Sequence, residues 1–158
     1  MPSFETLFIA SVSLLGFISL FIIFRYRTID TYIDNRKNAL RLLLATEIQI
    51  KPIITVYIQS IGKIKKETKK LTNLVKNPNK KNTVKIFANQ IRDFRAKRER
   101  TISLGLISII LWAYLSVSSL FNIHSKIFST YLFVLFLIFT LFFISIELFE
   151  GFGKNKLE

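Results

Sequence analysis

The chain has no cysteine and only one histidine, and these two shortages remove most metal and covalent chemistry. Without cysteine there is no disulfide, no thiolate metal ligand and no cysteine nucleophile. His124 is remote in sequence from the charged stretch 25–100, so no nucleophile–histidine–acid set is expected there. A metal site needs several converging ligands, which one histidine does not supply. We therefore predict that the protein binds no metal and no cofactor.

Glycine-rich phosphate loops are also missing. The stretch GFGK, Gly151 to Lys154, lacks the rest of a Walker motif. The few carboxylates are scattered rather than paired at a spacing suited to acid–base catalysis. These absences predict a protein that is not an enzyme.

What the sequence does contain is three long apolar runs. They are 4–24, charged only at Glu5; 102–121, without charge; and 127–149, charged only at Glu147. A helix of about 20 apolar residues is long enough to cross the hydrocarbon core of a bilayer. The runs predict an all-α integral membrane protein with three transmembrane helices. We do not expect the first run to be a cleavable signal peptide, because it lacks a basic n-region, is too long for an h-region and has no small-x-small cleavage site before Arg25.

Positive charge is concentrated between the first two runs. Residues 25–100 hold 20 of the 23 Lys and Arg but only six of the ten acids. The positive-inside rule then places 25–101 in the cytoplasm and the N-terminus outside. The turn 122–126 is external and the tail 150–158 is cytoplasmic, which predicts a multi-pass protein of the cell (plasma) membrane.

The cytoplasmic segment carries a seven-residue pattern. Thirteen positions from Ile33 to Val75 alternate by four and three, and ten of them are apolar. The stretch KNPNKKN, 76–82, separates this long arm from a short arm, 83–100, in which Val84, Phe87, Ile91 and Phe94 continue the pattern. The spacing predicts a basic helical hairpin with coiled-coil packing.

The two arms differ in length. At about 1.5 Å per residue a straight helix over 25–76 would reach about 78 Å, whereas the short arm would reach about 27 Å. Pro52 offers a kink in the long arm. We therefore expect part of the stretch 40–61 to lie flat, as an interfacial helix on the membrane or against a partner.

Opposite charges face each other if the first two spans are neighbours. The antiparallel register then places Asp30 beside Arg95 and Lys97, and Asp34 beside Arg92. Glu147 ends the third span, where a carboxylate needs a partner; Arg25, Arg27 and Arg100 are the nearest cations. The predicted salt-bridge collar consists of Asp30, Asp34, Arg92, Arg95, Arg100 and Glu147, and a solvated face with simple anchoring charges is the alternative.

A lysine-rich stretch forms the centre of the segment. The lysines predicted to bind an anionic surface are Lys63, Lys65, Lys66, Lys69, Lys70, Lys80 and Lys81. Their partners would be anionic lipid headgroups or the ribosome, unless the stretch is a solvated tip. It has no aromatic residue to stack on bases, so sequence-specific nucleic-acid recognition is not expected.

Two resemblances accompany these patterns. YIDNRK, 32–37, IRDFRAKRERTI, 91–102, and the terminal Glu147 resemble the motifs of an uncharacterised prokaryotic three-span membrane family, a domain of unknown function. One span, a basic cytoplasmic hairpin and two further spans are also similar in topology to Oxa1/YidC/Get1-type insertases. The first resemblance implies the three-span architecture, and the second implies membrane-protein insertion.

The functional expectation is a non-enzymatic protein. A set of hydroxyl side chains in the second span predicts helix–helix contacts: Ser108, Tyr114, Ser116, Ser118 and Ser119. With the paired charges it favours a small structural or accessory subunit that packs with other membrane subunits or with itself. An insertase or ribosome-docking factor is the alternative, and a channel would require oligomerisation.

Overall fold

In the computed structural model of the protein, the described residues include three long helices. The structure describes residues 2–45, 69, 71–73, 75 and 77–152. Helix α1 is Phe4–Ala45, α2 is Pro78–Leu120 and α3 is Lys126–Phe152. The residues described contain no strand, so the predicted all-α class is confirmed for them.

Each helix contains a stretch that is long and apolar enough to cross a membrane. This confirms the predicted number of candidate spans. Helix α1 does not stop where its apolar run ends at Phe24, but continues to Ala45. The residues after Phe24 are polar and charged, yet they include no glycine or proline that would break the helix.

A side-chain oxygen caps the first turn of each helix; the capping residues are Ser3, Asn77 and Ser125. Each accepts a hydrogen bond from a backbone N–H two or three residues later, which satisfies one amide that the helix leaves unpaired. Pro78 follows its cap as the first helical residue, where a missing N–H costs nothing. The predicted short arm begins too late, at Thr83, because Asn-Pro here starts a helix.

The connection between α2 and α3 is a tight helix-ending motif. The Ile123 N–H donates to the Ser118 carbonyl at 3.0 Å, and the Asn122 N–H donates to the Ser119 carbonyl at 3.5 Å. Asn122 has a φ of 52°, a left-handed conformation that asparagine tolerates better than most residues. These bonds close the last turn of α2 and let α3 begin within a few residues.

The chain divides into two compact units. The three-helix unit consists of Met1–Arg25 and Thr101–Glu158, and the basic unit is Tyr26–Arg100. In the three-helix unit, an apolar core forms around Ile18, Trp112, Leu115 and Phe136.

In the basic unit, α1 and α2 share an apolar core; its buried members are Ile29, Ile33, Leu40, Leu44, Leu71, Val75, Val84, Ala88 and Ile91. The seven-residue pattern includes most of these positions, which explains why the two helices pack here. Leu40 and Leu44, at the start of the predicted interfacial stretch, lie in this core. The remainder of that stretch, 46–61, lies outside the described residues, as do the pattern positions from Glu47 to Thr68.

Candidate functional site: a buried ion pair and a polar seam

The three-helix unit buries many hydroxyl side chains beside its apolar core and exposes many large apolar side chains. Eight hydroxyl residues are buried in it: Ser11, Thr101, Ser108, Ser116, Ser118, Ser119, Ser129 and Thr140. Large apolar side chains lie on the outside, including Leu20 at 69% exposure and Phe149 at 78%. A helix that packs in water buries its apolar stripe instead. The outer surface of this unit therefore suits an apolar environment.

The buried face of α2 forms a polar seam, which consists of Thr101, Gly105, Ser108, Trp112, Ser116 and Ser119. Successive members are three or four residues apart, so they lie on one side of the helix. All six are buried. Small residues at this spacing allow helix backbones to approach closely.

Members of the seam bond to both neighbouring helices. The Trp112 Nε1–H donates to Thr140 Oγ1 on α3 at 2.9 Å. Ser116 Oγ hydrogen-bonds to Ser11 Oγ on α1 at 2.9 Å. Such bonds between membrane helices contribute on average about 0.6 kcal/mol each, so their value lies in fixing rotation and register as well as energy.

Gly105 receives a side chain from α1. A Cβ at this position would lie 2.5 Å from Ile22 Cδ1 and 2.7 Å from Ile22 Cγ1. Real carbon atoms do not approach so closely, so only glycine lets α1 and α2 meet here without displacement of Ile22. By contrast, a Cβ at Gly16 would meet nothing within 4 Å.

Two phenylalanine rings pack against Trp112, the only tryptophan of the chain. Its ring meets Phe133 at 5.3 Å and Phe136 at 6.1 Å between centroids, in both cases edge to face. This is the favoured geometry for aromatic pairs. Trp112 thus joins the seam to the apolar core of the unit.

An ion pair closes the Arg25 end of the unit. Glu147 is fully buried, and its Oε2 accepts a hydrogen bond from Arg25 Nε at 3.1 Å. The Arg25 Nη2–H also donates to the Glu147 carbonyl at 2.7 Å, and Thr101 Oγ1 donates to Glu147 Oε1 at 2.8 Å. One carboxylate therefore joins all three helices. A buried carboxylate is costly without such partners, and Arg25 is one of the cations that the sequence analysis proposes for it.

In the basic unit, Asp30 pairs with Arg98 at 2.7 Å. Arg98 is not among the predicted collar residues; it lies one turn beyond Arg95, which is half-buried. The hydrogen bond that Arg98 donates to Asp30 raises the pKa of Arg98. Burial lowers the pKa of Arg95, and the charge of Arg98 adds to this effect.

Asp34 makes its ion pair within α1. Its Oδ1 lies 3.1 Å from Lys37 Nζ, one turn further along the helix. Arg92, its predicted neighbour, is exposed. A pair three residues apart in one helix forms without cross-helix register.

Two ring contacts join α1 to α2 inside the basic unit. Tyr32 and Phe94 stack with 5.5 Å between centroids and 5° between planes. The Arg36 guanidinium lies 5.4 Å from the centre of the Phe87 ring. Both contacts follow the antiparallel register that the sequence analysis assumes for these arms.

Three of the seven predicted anionic-surface lysines lie among the described residues. Lys69 is exposed, and Lys80 and Lys81 are half-buried. Lys63, Lys65, Lys66 and Lys70 lie outside the described residues. Arg100, the remaining collar residue, is half-buried.

The single histidine lies at the opposite end of the three-helix unit from Glu147. His124 Nε2 is 2.7 Å from the Tyr114 hydroxyl, and its ring meets Phe128 edge to face at 5.0 Å. Within the described ranges, no group of three or more potential ligand residues could hold a metal ion. Tyr114 is exposed, whereas the other four hydroxyl residues expected at contacts in this span are buried.

Sequence reasoning did not identify Thr101, Gly105 or the Trp112–Thr140 bond as parts of the site. The signal was present, because small and hydroxyl residues recur along α2 at spacings of three and four. Protein-family models, curated proteins and solved structures were compared with the chain, and none matches.

Proposed function

We propose that the protein is a multi-pass membrane protein whose three-helix unit crosses the bilayer through segments 4–24, 102–121 and 127–149. The buried hydroxyls and exposed apolar side chains support this proposal. Length supports it too: α1 advances about 30 Å between Glu5 and Arg25, and α3 about 32 Å between Lys126 and Glu147, close to the thickness of the hydrocarbon core.

The charges support one orientation. Residues 25–101 carry most of the positive charge and would form a basic helical hairpin in the cytoplasm, with the tail 150–158 on the same side and the N-terminus outside. Anionic headgroups of the plasma membrane would be a partner of this hairpin. The resemblance to the uncharacterised three-span family belongs to the same proposal.

Within the membrane the protein would act as a small structural or accessory subunit of a larger complex, without catalytic activity. One observation carries this: the three-helix unit buries several polar side chains that bond to one another across its helices. Glu147 bonds to Arg25 and Thr101, and Trp112 bonds to Thr140. Its outer surface offers apolar side chains, which suit packing against lipid or other helices.

The test begins with gentle extraction from native membranes, followed by a native gel and mass spectrometry of the proteins that migrate together. Partners present at fixed stoichiometry, or a stable homo-oligomer, are the expected result. A strictly monomeric chain would contradict the proposal.

Substitutions on the outer surface identify the face that binds a partner. Phe17, Ile110 and Ile138 are 56%, 65% and 63% exposed and lie on α1, α2 and α3 respectively. Replacing one of them with alanine should release the partner that packs on that helix. Trp112 fluorescence is the control, because its emission should stay unchanged while the three-helix unit remains folded.

A membrane-insertase or ribosome-docking function is the competing proposal, supported by the positive charge of residues 25–101. It requires co-sedimentation with ribosomes that high salt abolishes. Neutralising Lys65, Lys66, Lys69 and Lys70 together should also abolish it. Co-sedimentation that depends on these lysines, without a membrane partner, would favour this function over the accessory role.

A further inference from the structure

Arg25 uses only one edge of its guanidinium to hold Glu147. The two donors are Nε, 3.1 Å from Glu147 Oε2, and Nη2, 2.7 Å from the Glu147 carbonyl. These nitrogens share one edge of the planar group. The second edge, formed by Nη1 and the other Nη2–H, has no acceptor in the part of the chain that the structure describes. Three N–H groups therefore remain available.

The surrounding side chains restrict the movement of this second edge of the Arg25 guanidinium. The Arg25 side chain is only 16% exposed, so its rotation is limited. Glu147 fixes its orientation, and the Thr101 hydroxyl fixes Glu147 in turn at 2.8 Å. An arginine that is already immobilised loses little conformational entropy on binding, which favours affinity.

We infer that the free edge of Arg25 binds the phosphate of a phospholipid headgroup in the inner leaflet. The planar fork of arginine matches two oxygens of a phosphate and can bind both at once. The inference rests on the proposed membrane location, because Arg25 then lies at the depth of the headgroups, at the end of the apolar segment 4–24.

Neighbouring residues favour a lipid over free phosphate. Phe24 is 70% exposed and directly precedes Arg25, and Phe149 is 78% exposed and lies two residues after Glu147. An acyl chain would cover such apolar side chains, and inorganic phosphate would not. Glu147 already balances the charge of Arg25, so recognition depends on the fork geometry and on the apolar contacts.

The experiment compares the full wild-type chain with Arg25→Lys, Arg25→Gln and Arg27→Gln. Arg27 is the matched control: it is exposed, lies two residues away, and has no ion pair within the described residues. Each protein is purified in mild detergent from vesicles of phosphatidylethanolamine and phosphatidylglycerol. Native mass spectrometry then counts the phospholipids retained per chain.

We expect the wild type and Arg27→Gln to retain a phospholipid that Arg25→Gln and Arg25→Lys lose. Lysine keeps a positive charge beside Glu147 but has no second edge, so Arg25→Lys separates the fork from the charge. Equal retention in Arg25→Lys and the wild type overturns the inference. Equal loss in Arg25→Gln and Arg27→Gln also overturns it, because it indicates attraction by charge alone.

A measurement on the folded wild type guards against misfolded variants. Magnetic dipolar dephasing between guanidinium carbon-13 and lipid phosphorus-31 should appear in reconstituted wild-type protein, persist in Arg27→Gln and decrease in Arg25→Lys. Unchanged dephasing in Arg25→Lys contradicts the site. Inorganic phosphate could restore the thermal stability of delipidated protein as fully as phospholipid does. That result contradicts the lipid as the ligand.

The two proposals fail in different ways. A wild-type chain that resists alkaline extraction from membranes but shows no carbon–phosphorus dephasing refutes the phosphate site alone. A chain that alkaline carbonate releases refutes the membrane location and the proposed function with it.

Discussion

Replacing Gly105 with alanine would place a methyl group against Ile22, 2.5 Å from Cδ1 and 2.7 Å from Cγ1. Both distances are far below van der Waals contact, so the Ile22 side chain or the α1 backbone must shift. Ile22 packs against the core around Ile18 and Trp112, which limits where it can go. We predict that Gly105→Ala destabilises the three-helix unit.

The size of the effect follows from two opposing contributions. Overpacking a well-filled core costs about 1–3 kcal/mol. Alanine recovers about 0.5–1 kcal/mol relative to glycine inside a helix, since it restricts the unfolded chain. The net loss of unfolding free energy should be about 0–2.5 kcal/mol, with a central value of about 1 kcal/mol.

Gly16→Ala is the matched control, because a Cβ there meets nothing within 4 Å. It carries the same helix-propensity gain without the clash. The difference in stability between the two variants, about 1–3 kcal/mol, therefore isolates the contact with Ile22. We expect Gly16→Ala to equal or slightly exceed the wild type in stability.

Reversible unfolding in mixed micelles, titrated with a denaturing detergent, measures these differences. Trp112 is the only tryptophan and is fully buried beside the contact, so its fluorescence reports on the correct unit. The Ile22→Ala substitution removes all three atoms near the added methyl group. In combination with Gly105→Ala, it should destabilise less than the sum of the single changes.

Two results would refute this reasoning. Gly105→Ala could prove as stable as Gly16→Ala, which would mean that α1 and α2 are not in close contact at this level. Alternatively, Ile22→Ala and Gly105→Ala could act additively, which would mean that Ile22 is not the side chain that fills the space.

Other contacts give smaller, distinct effects. Trp112→Phe removes the hydrogen bond to Thr140, so it should lower the free energy of unfolding by about 0.5–1.5 kcal/mol. Circular dichroism measures the unfolding midpoint, and an unchanged midpoint would contradict that hydrogen bond. The φ of 52° at Asn122 is left-handed, so Asn122→Gly should leave stability unchanged and Asn122→Val should cost about 1–2 kcal/mol. Equal thermal midpoints for these two variants would contradict the left-handed turn. The ion pair of Asp30 with Arg98 is partly exposed, so Asp30→Asn should lower the free energy of unfolding by at most about 1 kcal/mol, and by less at high salt. A larger loss that does not depend on salt would contradict a surface ion pair.

The number and position of the candidate spans could be predicted because the criterion is simple. A run of about 20 apolar residues is long enough to cross a bilayer whatever it packs against. The helix bounds outside these runs were harder to place. The change from Phe24 to Arg25 is a change in environment rather than in backbone structure, so α1 continues through it. Pro78 by itself predicts the end of a helix, but it begins α2 because Asn77 caps the first turn of that helix.

The candidate site was predictable in kind but not in detail. Glu147 at the end of an apolar run needs a cation, and the sequence limits the choice to a few arginines. The choice between Arg95 and Arg98 for Asp30 depends on helix rotation, since a single residue turns a helix by about 100°. Thr101 and Gly105 became recognisable only when α1 and α3 were placed against α2, because their role depends on what each one meets.

The distribution of buried and exposed side chains in the three-helix unit affects how its sequence can change. An outward position such as Leu20 or Ile138 needs only an apolar side chain of almost any shape. A seam position is more restricted, because Gly105 must stay small beside Ile22 and Trp112 must keep its hydrogen bond to Thr140. Most positions of the three spans can therefore accept substitutions, whereas the seam positions on one face of α2 accept few. Two descendants of a common ancestor could lose nearly all recognisable identity and still superpose helix on helix.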